Sequence, residues 1–143
     1  MALSNGAQIV DPGMFRVLVE METRKAQRMR YVVSVVRLGV DETTQTGVRG
    51  PALAQRVAPS IRATDAVTSQ DSGSVTMLLV DAEDTNLPTI MNRLTPGLDD
   101  IAWSAGGACY PKTAATAEEL VSQAESMMAQ AKLHGGRRLS LPS

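Results

Sequence analysis

The sequence predicts an α/β sandwich, one central sheet covered by helices on its faces. Three observations carry that expectation. Helix-like and strand-like stretches alternate along the chain, a pattern that favours helices packed on a sheet. Residues 31–40 are rich in valine and read as a buried strand. Residues 116–133 carry the start and stop signals of a helix, with Thr116 as cap, Glu119 at capping-box spacing and Gly135 just past the end.

The remaining elements follow in order. Asp11-Pro12-Gly13 is a turn signal, after which Met14, Val17, Leu18 and Met21 recur at helical spacing, predicting a helix over 14–30. Residues 41–50 are polar and read as a loop. Pro51 can open a short helix to Ile61, with Leu53, Ala54, Val57 and Ile61 on one face; Pro59 should shorten or kink it. Residues 64–69 and 75–80 are strands around a hairpin tip, Asp71-Ser72-Gly73. The second of these strands is apolar on both faces, so it belongs inside the sheet. Residues 84–94 read as a helix in which Pro88 is awkward, and Thr95-Pro96-Gly97 breaks it. Residues 101–110 form a strand weakened by Gly106 and Gly107, and 137–141 an edge strand. The division expected is one domain over residues 11–141, with residues 1–10 as an N-terminal extension.

The chain of 143 residues has the length of one domain and can bury an ordinary core without disulfides or metal. A net charge of -1 gives no field to hold nucleic acid or an anionic membrane, and four aromatic residues offer no base-stacking platform. Cys109 is the only cysteine, which excludes an intramolecular disulfide and a Cys-based zinc site. His134, the only histidine, sits in a polar Lys-Leu-His-Gly-Gly stretch and reads as a solvated loop residue. No secretory signal and no apolar run near membrane-spanning length are visible, so a cytoplasmic location is expected, with no cofactor and no metal.

The motifs are more specific. Arg62-Ala63-Thr64-Asp65 gives an RxxD pattern, followed after five residues by Asp71-Ser72-Gly73-Ser74-Val75. Later, Ser104-Ala105-Gly106-Gly107-Ala108-Cys109-Tyr110-Pro111 precedes Ala117-Glu118-Glu119-Leu120, Ala124-Glu125, Met128, Ala131-Lys132 and Gly135. Near the start stand Phe15, Glu22, Lys25-Ala26 and Arg28. This layout resembles the GGDEF domain family, the diguanylate cyclases of bacterial cyclic-di-GMP signalling. The resemblance implies a GGDEF-type α/β sandwich with a mixed central sheet. It departs from the family where Glu125 replaces an Asp, Ala129 replaces a Tyr, and DSGSV stands for the GGDEF signature.

That last departure bears on chemistry. Joining two GTP molecules is phosphoryl transfer, which needs metal ions and carboxylates to hold them. The family's first metal carboxylate falls on Gly39, or on Arg37 in a shifted register, and the second falls on Gly73. Asp71 would carry negative charge towards triphosphate, and the family's guanine-contacting stretch is shorter here, its Gly-Asp step resembling Gly50-Pro51 at best. Lys132 stands where a family lysine reaches phosphate, and Asp41 is a lone carboxylate. No cyclase activity is expected.

RxxD is, by the same resemblance, the family's inhibitory site for cyclic-di-GMP. Arg62 can donate two bonds to the guanine O6 and N7, Asp65 can accept from its N1–H and amino group, and Arg93 occupies the position of a further family arginine. The function implied is that of an inactive cyclic-di-GMP receptor or regulatory module. The alternative is an interaction or dimerisation domain that binds no nucleotide, with the 14–30 helix as docking or homodimer element.

Overall fold

The computed structural model describes residues 6–40, 50–71 and 73–142. Of the loop expected over 41–50, residues 41–49, Asp41 among them, lie outside the described residues, as does Ser72, whereas Gly50 belongs to the helix Gly50–Val57. The strands are β1 (Gln8–Ile9), β2 (Val33–Val40), β3 (Ala66–Asp71), β4 (Ser74–Val80), β5 (Trp103–Tyr110) and β6 (Leu139–Ser140). They form one sheet in the order β1-β3-β4-β2-β5-β6. The four inner strands pair antiparallel, whereas β1 on β3 and β6 on β5 pair parallel, so the sheet is mixed.

Alternation along the strands divides the core into two layers. Val36, Leu38 and Val40 of β2 and Val75, Met77 and Leu79 of β4 face α2 (Gly50–Val57) and α3 (Leu87–Leu94). Val33, Val35 and Leu78 face α1 (Pro12–Met29) and α4 (Ala117–Leu133). Each such side chain buried contributes about 1.5–3 kcal/mol. β4 lies inside the sheet with Leu78 and Leu79 both buried, as its two-sided apolar pattern requires.

Helix ends follow the chemistry of their residues. Asp11 Oδ1 accepts from the Met14 N–H at 2.8 Å, so α1 begins at Pro12 rather than Met14. Thr116 accepts from the Glu119 N–H at 3.1 Å, and Gly135, at φ 104°, ends α4. Pro59 closes α2 at Val57 and turns the chain into a 3-10 segment, Ala58–Ser60. Pro88 does not interrupt α3. It occupies the first turn, where its missing N–H costs nothing, after a 3-10 turn over Asp84–Asn86.

Two expectations need correction. Gln8–Ile9 pairs with Ala66–Val67, so the sheet begins within the stretch set apart as residues 1–10. Gly106 does not merely weaken β5. A Cβ there would collide with the Met128 backbone nitrogen and the Ala124 carbonyl, so the glycine lets α4 lie with its backbone directly on the strand.

Candidate functional site

The Arg62–Asp65 turn joins the 3-10 segment after α2 to β3. The Asp65 N–H donates to the Arg62 carbonyl at 2.9 Å and closes it. The Asp65 carboxylate is turned inward, its side chain 2% exposed. Oδ1 accepts from the Val80 N–H at 2.9 Å, and Oδ2 accepts from the Arg62 N–H at 3.2 Å. The same Oδ2 lies 3.5 Å from Arg62 Nε. Arg62 Nη2 donates to the Val80 carbonyl. Asp65 thus fastens the turn to the end of β4 and fixes the base of the Arg62 guanidinium, which is 52% exposed.

Arg93 projects from α3 and is exposed. Although distant in sequence, Arg62, Asp65 and Arg93 line one open cleft of about 430 Å³. Asn86, Thr89 and Asp81 also line it. Sequence reasoning missed these three. Thr89 and Asn86 could have been found by stepping back from Arg93 by four and seven residues, the spacing of one helix face. α3 is held at its N-terminal approach by Asp84, which bonds Lys112 at 2.9 Å; the Lys112 ammonium keeps the Asp84 carboxyl below the usual carboxylate range. Two guanidinium groups with an amide and a hydroxyl can donate to a ligand rich in acceptor atoms, such as a purine edge or a phosphate. Arg62 and Arg93 are presented to such a ligand. Asp65 is closed to it in this arrangement.

The other end of β4 is built differently. Gly39 is in register with Ser74 and Ser104, and a Cβ on it would stand 2.8 Å from Met128 Sδ. Arg37 is buried beneath α4. Its Nη2 donates to Ser74 Oγ at 3.0 Å, and its Nη1 lies 3.9 Å from Glu125 Oε2. Among the described residues no three of His, Cys, Asp and Glu cluster as metal ligands would. Lys132 and His134 are exposed, and Cys109 is buried. A second hollow, about 410 Å³ between α1 and α4, holds none of the expected site residues.

No protein-family model matches the sequence, and no curated protein does. Solved structures do. The GGDEF domain of YfiN (TpbB) from Pseudomonas aeruginosa superposes with a TM-score of 0.85 at 17% identity, covering 99% of each chain. The GGDEF domain of DgcB from Caulobacter crescentus, in complex with c-di-GMP, gives 0.77 at 12% identity over 99% of this chain and 94% of that one. A microbial GGDEF domain interacting with cyclic di-GMP gives 0.75 at 21% identity over 93% and 91%. The six-stranded mixed sheet and four α-helices of the described residues therefore have the fold of the GGDEF diguanylate cyclase domains.

Proposed function

We propose that this domain is a cyclic-di-GMP receptor or regulatory module that binds ligand in the Arg62–Arg93 cleft and has no cyclase activity. The observation that carries the reading is the convergence of Arg62 and Arg93, from different elements, on one open cleft. Solved domains of this fold in complex with c-di-GMP support the choice of ligand. Asp65 serves as a positioning residue, holding Arg62 rather than meeting the base. The absence of catalysis rests on Gly39 and Gly73 at the positions where the resemblance calls for metal carboxylates, and on the Met128 and Ser74 side chains packed beside Gly39, with Arg37 bonded to Ser74.

Titration calorimetry with cyclic-di-GMP tests binding. Wild type should release heat and gain melting temperature, because a ligand that binds only the native state stabilises it. Arg62→Ala removes a bidentate, charge-assisted contact of about 1–3 kcal/mol, roughly a ten- to hundredfold loss of affinity. Arg93→Ala should weaken binding too. Neither heat nor thermal shift in wild type sinks the receptor reading. The second reading, an interaction domain that binds no nucleotide, is favoured by the inward-turned Asp65 carboxylate, and it predicts that result. Incubation with GTP and magnesium should yield no cyclic-di-GMP; product above a protein-free control would refute the pseudoenzyme assignment.

A further inference from the structure

The outward face of α1 is unusual for a helix that already covers a sheet. Phe15, Val19, Thr23 and Ala26 form its buried side. On the opposite side Met14, Val17 and Met21 are 49, 47 and 53% exposed. Their spacing, three then four residues, makes one continuous stripe along the helix. Contiguous exposed apolar surface marks an interaction site, and methionine is over-represented in such contacts. The same spacing continues into exposed Arg24 and Arg28, so the stripe is apolar in its N-terminal half and cationic in its C-terminal half. Asp11, exposed, caps the N-terminal end. Exposed Glu20 lies at the centre, whereas Glu22 is engaged within its own chain by the Tyr31 hydroxyl at 2.6 Å and Lys25 at 3.5 Å.

We infer that the Met14–Val17–Met21 stripe is a self-association surface, on which α1 of a second copy packs antiparallel. The charges choose both the occupant and the direction. In an antiparallel pair the stripe meets itself: Val17 packs on the partner copy's Met21, and Arg24 and Arg28 come beside the partner copy's N-terminal end with its Asp11. A parallel pair would stack Arg24 on Arg24 and Arg28 on Arg28, leaving like charges opposed at close range. One helix pair is small by the standard of stable interfaces, so the dimer is reversible and depends on concentration. The inference holds whether or not the Arg62–Arg93 cleft takes a nucleotide.

Sedimentation equilibrium of the whole chain, without nucleotide, tests it. The wild type should pass from monomer to dimer as concentration rises. Met21→Glu, at a position already exposed, should leave the melting temperature unchanged and weaken association at least tenfold. Arg24→Gln separates the two directions. In the antiparallel pair it removes a cation from beside Asp11 and weakens the dimer several-fold, while in a parallel pair it relieves the repulsion between the two copies of residue 24 and strengthens it. Spin labels on Gln27→Cys should lie about 24 Å apart along the axis in the antiparallel pair, at about 1.5 Å rise per residue, and side by side in a parallel one. A monomer at every concentration up to about 1 mM, where association would be worth only some 4 kcal/mol, overturns the inference. So does association indifferent to Met21→Glu, or strengthened by Arg24→Gln. Binding of the monomer to vesicles containing anionic lipid, with no self-association, would assign the stripe to a membrane surface instead.

Discussion

The two ends of β4 invite comparison. At the Val80 end the backbone N–H and C=O are held by Asp65 and Arg62, and an exposed guanidinium stands over an open cleft. At the Ser74 end the side-chain hydroxyl accepts from the guanidinium of buried Arg37, and Met128 occupies the space over Gly39. Each end carries an arginine, with opposite consequences. Arg62 is anchored at its base and presented outward. Arg37 is turned inward, where its charge serves the packing between sheet and α4. An open site and a filled one can thus sit on one strand of seven residues, and the exposure of the guanidinium distinguishes them better than the presence of the residue.

The comparison can be broken by substitution. Asp65→Ala has the largest expected effect on stability. It removes the acceptor for the Val80 and Arg62 N–H groups and should cost about 2–4 kcal/mol, read as a lowered denaturant midpoint with unchanged slope. A loss below about 0.5 kcal/mol would show that Asp65 is not the staple described, since that is the scale of unremarkable surface changes. Gly39→Asp comes next. Its Cβ would meet Met128 Sδ, and its charge would enter the layer beneath α4, so a loss of about 1–3 kcal/mol is expected, with no gain of cyclase activity. Gly39→Asp combined with Met128→Ala should recover part of that loss; no recovery would mean that Met128 is not what fills the position. Arg62→Ala removes the donor to the Val80 carbonyl and the cation beside Asp65, but its head is half exposed, so a loss of only about 0.5–1.5 kcal/mol is expected. A large loss of stability there would erase the distinction between the two ends.

The smallest effect is one of pH. The Tyr31 hydroxyl is pushed up to about 12, first by burial and then by its hydrogen bond to Glu22. A group whose folded pKa lies above its unfolded value of 10.0 adds stability that is whole below pH 10 and lost as pH rises towards 12. Tyr31→Phe should flatten that part of the stability profile; an unchanged slope between pH 10 and 12 would remove Tyr31 as its source.

Much of the fold was legible because its signals are local. The capping residues Thr116 and Gly135 and the two-sided apolar run of β4 each act within a few residues of themselves. The N-terminal strand was not legible, since two residues cannot show an alternation and only Ala66–Val67 across the sheet gives them a partner. Gly106 was read by its propensity, although the helix backbone lying against it sets its role, and nothing near it in sequence announces that contact. At the cleft the sequence named Arg62 and Arg93 and brought them together through resemblance. It did not reveal that Asp65 faces inward, because a carboxylate's partner can be a backbone amide fifteen residues on, here that of Val80.

The edges of the sheet carry a last consequence. β1 and β6 are two residues long each, and they flank the longer inner strands on both sides. An intruding strand needs a row of unpaired amides and carbonyls to zip onto, and so short a border gives it almost no purchase. Recruitment by strand addition is thereby discouraged at both margins. Whatever this domain recognises among proteins should be gripped by its helices, and runaway edge-to-edge polymerisation is checked by the brevity of its outermost strands.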